Sequence, residues 1–330
     1  MNWTRCDSTL ALVAAGAVLV AGLFAGPLSN GRGGRGPDTH PAGGKVSVKN
    51  LQAAMAKLRR LHSKLGKPRP GDWLARFNEP GQTFAQYRRC RPVLPTGGRR
   101  VIYIQPLGKF TKAQRKVVTL TADYLGRHFN LPVKINDDLP LSVIPAKARR
   151  THPSWGDKQI LSTYVLDTVL RPRLPKDAFG MIALTSSDLW PGKGWNFVFG
   201  QASLRQRVGV WSMYRYGDPN KGRNELRRVL LRTIKTASHE LGHMMSMRHC
   251  TAFECSMCGS NSLGESDRRP LALCLECMAK ICWATGTEPV ERYRKLAAFC
   301  RTHGLRREAG RFGQFIRALG RVPTTTRAAN

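Results

Sequence analysis

Three histidines, a glutamate and a cysteine fall within the stretch HELGHMMSMRHC, from His239 to Cys250. His239 and His243 are four residues apart, so on a helix their imidazoles stack on one face and can clamp a single ion. Glu240 is rotated from His239 by about 100°. That is too far round to share the ligand arc, but it suits a reach towards a water on that ion. Zinc in such a site acts as a Lewis acid that lowers the pKa of its water from about 15.7 towards roughly 7, with the glutamate as general base. A third ligand is needed, and His249 is the candidate. It lies on the wrong face of a continued helix, so the helix must stop and the chain must turn back. A glycine with positive φ at position 246 would do this cheaply. Ser246 stands there instead, and a serine in a left-handed conformation costs about 1–2 kcal/mol. Histidines that merely line a solvated face would leave the offsets of Glu240 and His249 unexplained.

A second constellation follows at once. Of the nine cysteines, six lie between Cys250 and Cys282, a clustering that speaks for metal rather than scattered disulfides. Cys250 and Cys255 form one short pair, Cys274 and Cys277 another. Two such pairs across a loop supply the two edges of a tetrahedral thiolate site for zinc. Cys258 and Cys282 are spare and could substitute for a neighbour. A closed site of this kind would be structural, pinning the loop that carries His249. It also favours a reducing location, because oxidation competes with metal.

The elements that must position these residues can be read from pattern. In NELRRVLLRTIKTASHELGHMMSM, residues Leu226, Val229, Leu230, Thr233, Ala237, Leu241 and Met244 make one apolar stripe at helical spacing. His239 and His243 fall on the other side, facing a cleft or solvent. Upstream, RRVIYIQPLG and LPVKIND read as strands around the helix TKAQRKVVTLTADYLGRHF. GDKQILSTYVLDTVLRPR reads as helical and FGMIALTSSDL as a strand. NFVFGQASLRQRVGVWSMYRY reads as two strands about a turn, with RVGVWSMYR as a possible antiparallel edge. This alternation predicts an α/β (α+β) fold with a mixed twisted sheet and covering helices. The carboxyl end, EPVERYRKLAAFCRTHGLRREAGRFGQFIRALGRV, predicts basic amphipathic helices packed on the cysteine-rich segment.

The predicted organisation is an apolar anchor or signal segment at 1–30, a Gly/Pro-rich linker at 31–46 and a helical and irregular extension at 47–98. A catalytic domain then spans 99–322, divided into 99–249 and 250–322. From Ser8 to Asn30 there is no charged residue, which suits membrane insertion through residues 9–28. Arg32, Arg35 and Lys45 on the carboxyl side favour an uncleaved anchor, with export or a cytoplasm-facing domain as alternatives. Lys and Arg number 54 against 21 Asp and Glu, a net +33, and hydrophobic residues make up 42%. That composition excludes wholesale disorder, and the surplus gives the surface a non-specific affinity for anions. No spacing points to a specific nucleic-acid reader.

The string HELGHMMSMRHCTAFECSMCGSNSLGESDRRPLALCLECMAKI resembles the signature of the archaemetzincin family. There an extended zinc-binding motif runs straight into a cysteine, followed by C-x4-C-x-M, a spacer of about 17 residues and a closing CxxC pair, a pattern beyond that of its metzincin relatives. GDWLARFNEPGQTF, IYIQPLG and ALTSSDLWPGKGWNFVFGQASLRQRVGVWSMYR are also similar to the family's upstream segments. The resemblance spans roughly 60 to 300. It implies a metzincin-like fold, with an active-site helix and a small helical carboxyl subdomain built on a zinc knot. It implies two zinc ions: a catalytic one on His239, His243 and His249 with Glu240 as base, and a structural one on Cys250, Cys255, Cys274 and Cys277. Met257 would be the methionine of the turn beneath the catalytic metal. The activity implied is zinc-dependent hydrolysis of peptides or proteins. Aminopeptidase-like preference is attributed to some members, and little proteolysis is detected with others. The edge strand would hold extended peptide, with RVGVWSMYR or NFVFGQA as candidates. Ser246 departs from the family's glycine, and the spacer from Met257 to Cys274 is one residue short. The rival class is a non-catalytic, zinc-stabilised basic protein that binds nucleic acid or anionic membrane. Tyr214 is the one guess for an oxyanion partner beside the metal.

Overall fold

A computed structural model describes residues 46–320. The predicted apolar segment and its linker up to residue 45 lie outside them, as do residues 321–330. Among the described residues no helix is long and apolar enough to cross a membrane.

The first helix, α1 (Val48–Leu58), starts at Ser47, whose hydroxyl accepts from the Asn50 amide at 3.1 Å. Leu51, Ala54 and Leu58 give it one buried face. It ends at Leu58. The short helices α2 (Trp73–Arg76) and α3 (Phe84–Arg89) follow, the latter opened by a reciprocal cap between Thr83 and Gln86. Next come β1 (Val101–Leu107), α4 (Lys112–Phe129), β2 (Val133–Ile135), β3 (Arg149–Thr151) and β4 (Lys158–Leu161). The single turn α5 (Ser162–Tyr164) runs on as a wider π-type coil to Leu170. Then follow β5 (Ala178–Thr185), β6 (Asp188–Trp190), β7 (Gly200–Ser203), β8 (Val208–Ser212) and the long helix α6 (Arg223–Met244). Four helices complete the described residues: α7 (Leu263–Arg268), α8 (Leu275–Thr285), α9 (Pro289–Thr302) and α10 (Arg306–Gly320).

The main sheet has the order β2-β1-β5-β8-β7. All its pairings are parallel except β7 with β8. Parallel strands are covered on both faces, so β1 and β5 are near-continuous apolar runs, and β5 is buried throughout. Ile102, Ile104, Ile182 and Leu184 face the larger core, shared with α4, α6 and the carboxyl helices. Tyr103, Met181, Ala183 and Val210 face a smaller core beneath the 160–170 segment. A second sheet, β3-β4-β6, caps that side. The α/β architecture and its helical, cysteine-bearing carboxyl part are as predicted.

Two local expectations fail. GDKQILSTYVLDTVLRPR is not helical from its start, because Lys158–Leu161 is β4, paired with β3 and β6. Ile160 enters the smaller core there, and cross-strand pairing overrides local propensity. RVGVWSMYR is not the edge either. β8 lies between β5 and β7 and runs parallel to β5, which leaves β7 as the edge. All five residues of β8 are buried, as a strand inside the sheet requires.

Candidate metal centre

The final turns of α6 are packed between the sheet and the segment that carries Ser256 and Met257, so His239, Glu240 and His243 are all buried. The apolar stripe faces the sheet, and the histidine side faces a cleft lined by His239, Glu240 and Ser256, as expected. Each histidine is oriented through its Nδ1. His239 Nδ1 lies 2.8 Å from the Ser256 carbonyl oxygen and His243 Nδ1 lies 2.6 Å from that of Met247. His249 Nδ1 meets both carboxylate oxygens of Glu79, at 2.8 and 3.1 Å. These partners can only accept, so each Nδ1 carries the proton and donates it, which leaves three Nε2 lone pairs.

The three lone pairs converge. The Nε2 atoms of His239 and His243 are 2.9 Å apart, and buried His249 Nε2 has no hydrogen-bond partner. Candidate ligand atoms of the three histidines lie within 4.8 Å of one another. A tetrahedral zinc with bonds of about 2.05 Å sets its nitrogens about 3.3 Å apart. Lone pairs aimed at each other this closely repel unless a proton or cation sits among them. Burial excludes the proton, because it pulls His239 down to about 3 and His243 well below its ordinary value. The donor set therefore fits a metal cation with a fourth position left open. Glu240 stands beside it with Oε1 buried and unpartnered, and burial pushes its carboxyl up to about 8. A cation nearby would favour the ionised form that a base requires.

The turn that brings His249 back is made by Ser246 itself, in the left-handed region at φ +65°. The strain is met by a clamp from the amino-terminal extension. Gln82 donates to the Ser246 carbonyl at 3.3 Å and accepts from the Arg248 amide at 3.2 Å. Tyr87 donates to the Met245 carbonyl at 2.9 Å. The serine hydroxyl accepts from the Val93 amide at 3.0 Å, a bond that glycine could not make. Trp73 stands edge-on to the His249 ring at 5.1 Å.

Beneath the histidines, Met257 packs on Gly242. A Cβ at position 242 would meet the Met257 sulfur at 2.8 Å, so helix and turn approach here only because glycine has no side chain. The Cys250 amide donates to the Met257 carbonyl at 2.8 Å and ties this turn to the cysteine cluster. There the sulfurs of Cys250, Cys255, Cys274 and Cys277 lie within 4.8 Å of one another, all buried. Cys250 and Cys274 are 3.6 Å apart, against the roughly 3.8 Å edge of a zinc–thiolate tetrahedron. Cys255 accepts from the amides of Met257 and Cys274, which suits a thiolate. The surrounding sulfhydryls draw the Cys250 thiol down, while burial pushes Cys255 up. For the four sulfurs to ionise together, a cation is needed among them. Cys258 stays outside the group and donates to the Phe253 carbonyl at 3.3 Å, and Cys282 lies within α8.

The structure thus brings together each predicted set, while two contributors had no signal in the motif. Glu79 and Gln82 sit in GDWLARFNEPGQTF, far upstream, and only the presence of Pro80 and Gly81 hinted at a shaped turn. Tyr214 donates to Asp157 at 2.6 Å. Tyr216 rather than Tyr214 lines the cavity beside Glu240.

A profile described as peptidase family M54 matches residues 133–282. Archaemetzincin-2 of Homo sapiens is 35% identical over 262 residues, which cover 69% of this chain and 71% of that protein. Archaemetzincin of Archaeoglobus fulgidus is 33% identical over 180 residues, 54% of this chain and 98% of that protein. A crystal structure of the Archaeoglobus fulgidus archaemetzincin, at 29% identity, covers 55% of this chain and 99% of its own, with a TM-score of 0.42. With that identity across most of a full-length relative, the chain belongs to the archaemetzincin family of zinc-dependent metallopeptidases.

Proposed function

We propose that the chain hydrolyses peptide bonds at a zinc held by His239, His243 and His249, with Glu240 as general base. A second zinc on Cys250, Cys255, Cys274 and Cys277 fixes the fold around that site. The observation that carries this reading is the convergence of three proton-free Nε2 atoms beside an unpartnered, buried carboxyl. Zinc bound there supplies a Lewis acid that acidifies water and polarises the scissile carbonyl. Glu240 takes a proton from the attacking water as the new C–O bond forms. It returns that proton to the leaving nitrogen as the C–N bond breaks. Edge strand β7 offers backbone pairing to an extended peptide, and Phe199 and Gly200 line the cavity beside Glu240.

The test is Glu240→Gln in zinc-loaded protein. Turnover of a diverse peptide library falls by at least about 100-fold, with both zincs retained by mass spectrometry. Peptides with free and acetylated amino termini, run in parallel, separate aminopeptidase from endopeptidase action. Undiminished cleavage by the variant overturns the role of Glu240. A zinc-loaded wild type that cuts nothing returns the chain to the non-catalytic class.

A further inference from the structure

The cavity beside His239 and Glu240 has a chemistry of its own. The edge-strand side brings Phe199 and Gly200, and the segment after the cysteine turn brings Ser260 and Leu263. Two cations, Lys235 and Arg269, also line it. Lys235 stands one helical turn before His239 on the same face of α6. Lys235 is only 9% exposed, and its ammonium donates to the Ser266 carbonyl at 2.6 Å. An ammonium has three donors. Among the described residues no carboxylate lies within ion-pair distance of it. Asp267 is engaged by Arg232 at 2.5 Å, and Glu254 by Arg269 at 2.8 Å.

A largely buried ammonium that Asp267 and Glu308 attract only from beyond ion-pair distance is costly, and such groups are ordinarily paired. The cost is relieved when a ligand brings the anion. Arg269 is paired with Glu254, but its Nε is buried without a hydrogen-bond partner. The only carboxylate lining this cavity among the described residues is Glu240. A second cavity shares Lys235 and Arg269 and adds Arg227, Arg228 and Arg307, against Asp267 and Glu308. The neighbouring surface is thus positive as well as the cavity itself, which draws anions towards it.

We infer that this cavity binds a carboxylate of the substrate next to the scissile bond, with Lys235 as its counter-charge, so that the enzyme selects acidic peptides. The inference rests on the peptidase reading above. Two sources offer the same group: an Asp or Glu side chain, and the free carboxyl end of a short peptide.

The experiment compares peptides of one sequence with Glu, Gln, Leu or Arg placed in turn on each side of the cut. Each is made with a free and an amidated carboxyl end. At one position Glu is preferred over Gln by at least about tenfold in kcat/KM, and in Lys235→Met the ratio collapses towards one. Lys235→Arg, which keeps the charge, keeps the preference. If the free carboxyl end confers the gain and a side chain does not, the pocket reads chain ends. Dissociation constants of the same peptides on zinc-loaded Glu240→Gln protein give the comparison without turnover, so a failure of catalysis is distinguishable from a failure of selection. They also stand if Lys235→Met does not fold. Equal or weaker binding of acidic peptides, or a preference that survives Lys235→Met, overturns the proposal.

Discussion

Glu79 ties its carboxylate to His249 from 170 residues away, and so sets which nitrogen of the third ligand is free. Such carboxylate–histidine partners raise ligand basicity and fix ring orientation. Glu79→Gln therefore weakens zinc binding at the histidine site by about 10–100-fold, read by competition with a chromogenic chelator, and Glu79→Asp recovers part of it. An unchanged affinity would remove Glu79 from the site. Ser246 makes a second residue-scale prediction. Ser246→Gly relieves left-handed strain but loses the bond from the Val93 amide, so its melting temperature stays near that of the wild type. Ser246→Ala keeps the strain and loses the bond, and is less stable by about 1 kcal/mol. The order of the two melting temperatures decides it. The three histidines and Glu240 were legible because their logic is local, a matter of spacing on one helix. Glu79 and Gln82 were not, because a single carboxylate or amide carries no signal until folding brings it across the chain.

The elements tell a similar story. The active-site helix was readable from its stripe, and its burial on the opposite side was not, since that depends on the layer laid down by the cysteine cluster. Gly242 marks the closest approach of the two. Gly242→Ala would favour the helix by propensity but drives a Cβ into the Met257 sulfur, with a net cost of about 1–3 kcal/mol, visible as a lower melting temperature. The two metal sites also separate at this scale. Cys274→Ala removes one zinc and lowers the melting temperature sharply, because metal free energy is folding free energy in a closed site. His249→Ala weakens the other zinc while the fold persists. Metal counts by native mass spectrometry with thermal melts check both. β4 and β8 escaped a local reading for one reason: strand order and strand neighbours are properties of the sheet, not of a window of residues.

Across the whole molecule, buried neutral histidines set the response to acid. His62 lies 4.8 Å from the Phe315 ring, and neither of its ring nitrogens has a partner. Burial lowers it from 6.5 to about 4, and burial lowers His128 well below its ordinary value too. The unfolded chain accepts a proton near 6.5 that the folded chain refuses until about 4. Stability is therefore whole above pH 6.5 and falls as the pH drops towards 4, by up to about 1.4 kcal/mol per pH unit for His62. Zinc-saturated His62→Leu shows a smaller difference in urea midpoint between pH 7 and pH 5 than the wild type. A wild-type midpoint that does not change over this range would contradict the buried neutral state.

The clamp on the catalytic turn has a consequence for how this protein could be silenced. Trp73, Glu79, Gln82, Tyr87 and Val93 all reach the His243–His249 turn from outside the motif. Proteolytic removal of the segment before β1 would take that clamp away while leaving every zinc-binding residue covalently in place. Ser246 would then relax out of its left-handed conformation and His249 would swing away from its two companions. The shortened protein would keep its thiolate-bound metal, yet be dead as a peptidase. Inventories of intact metal-binding motifs would miss the difference.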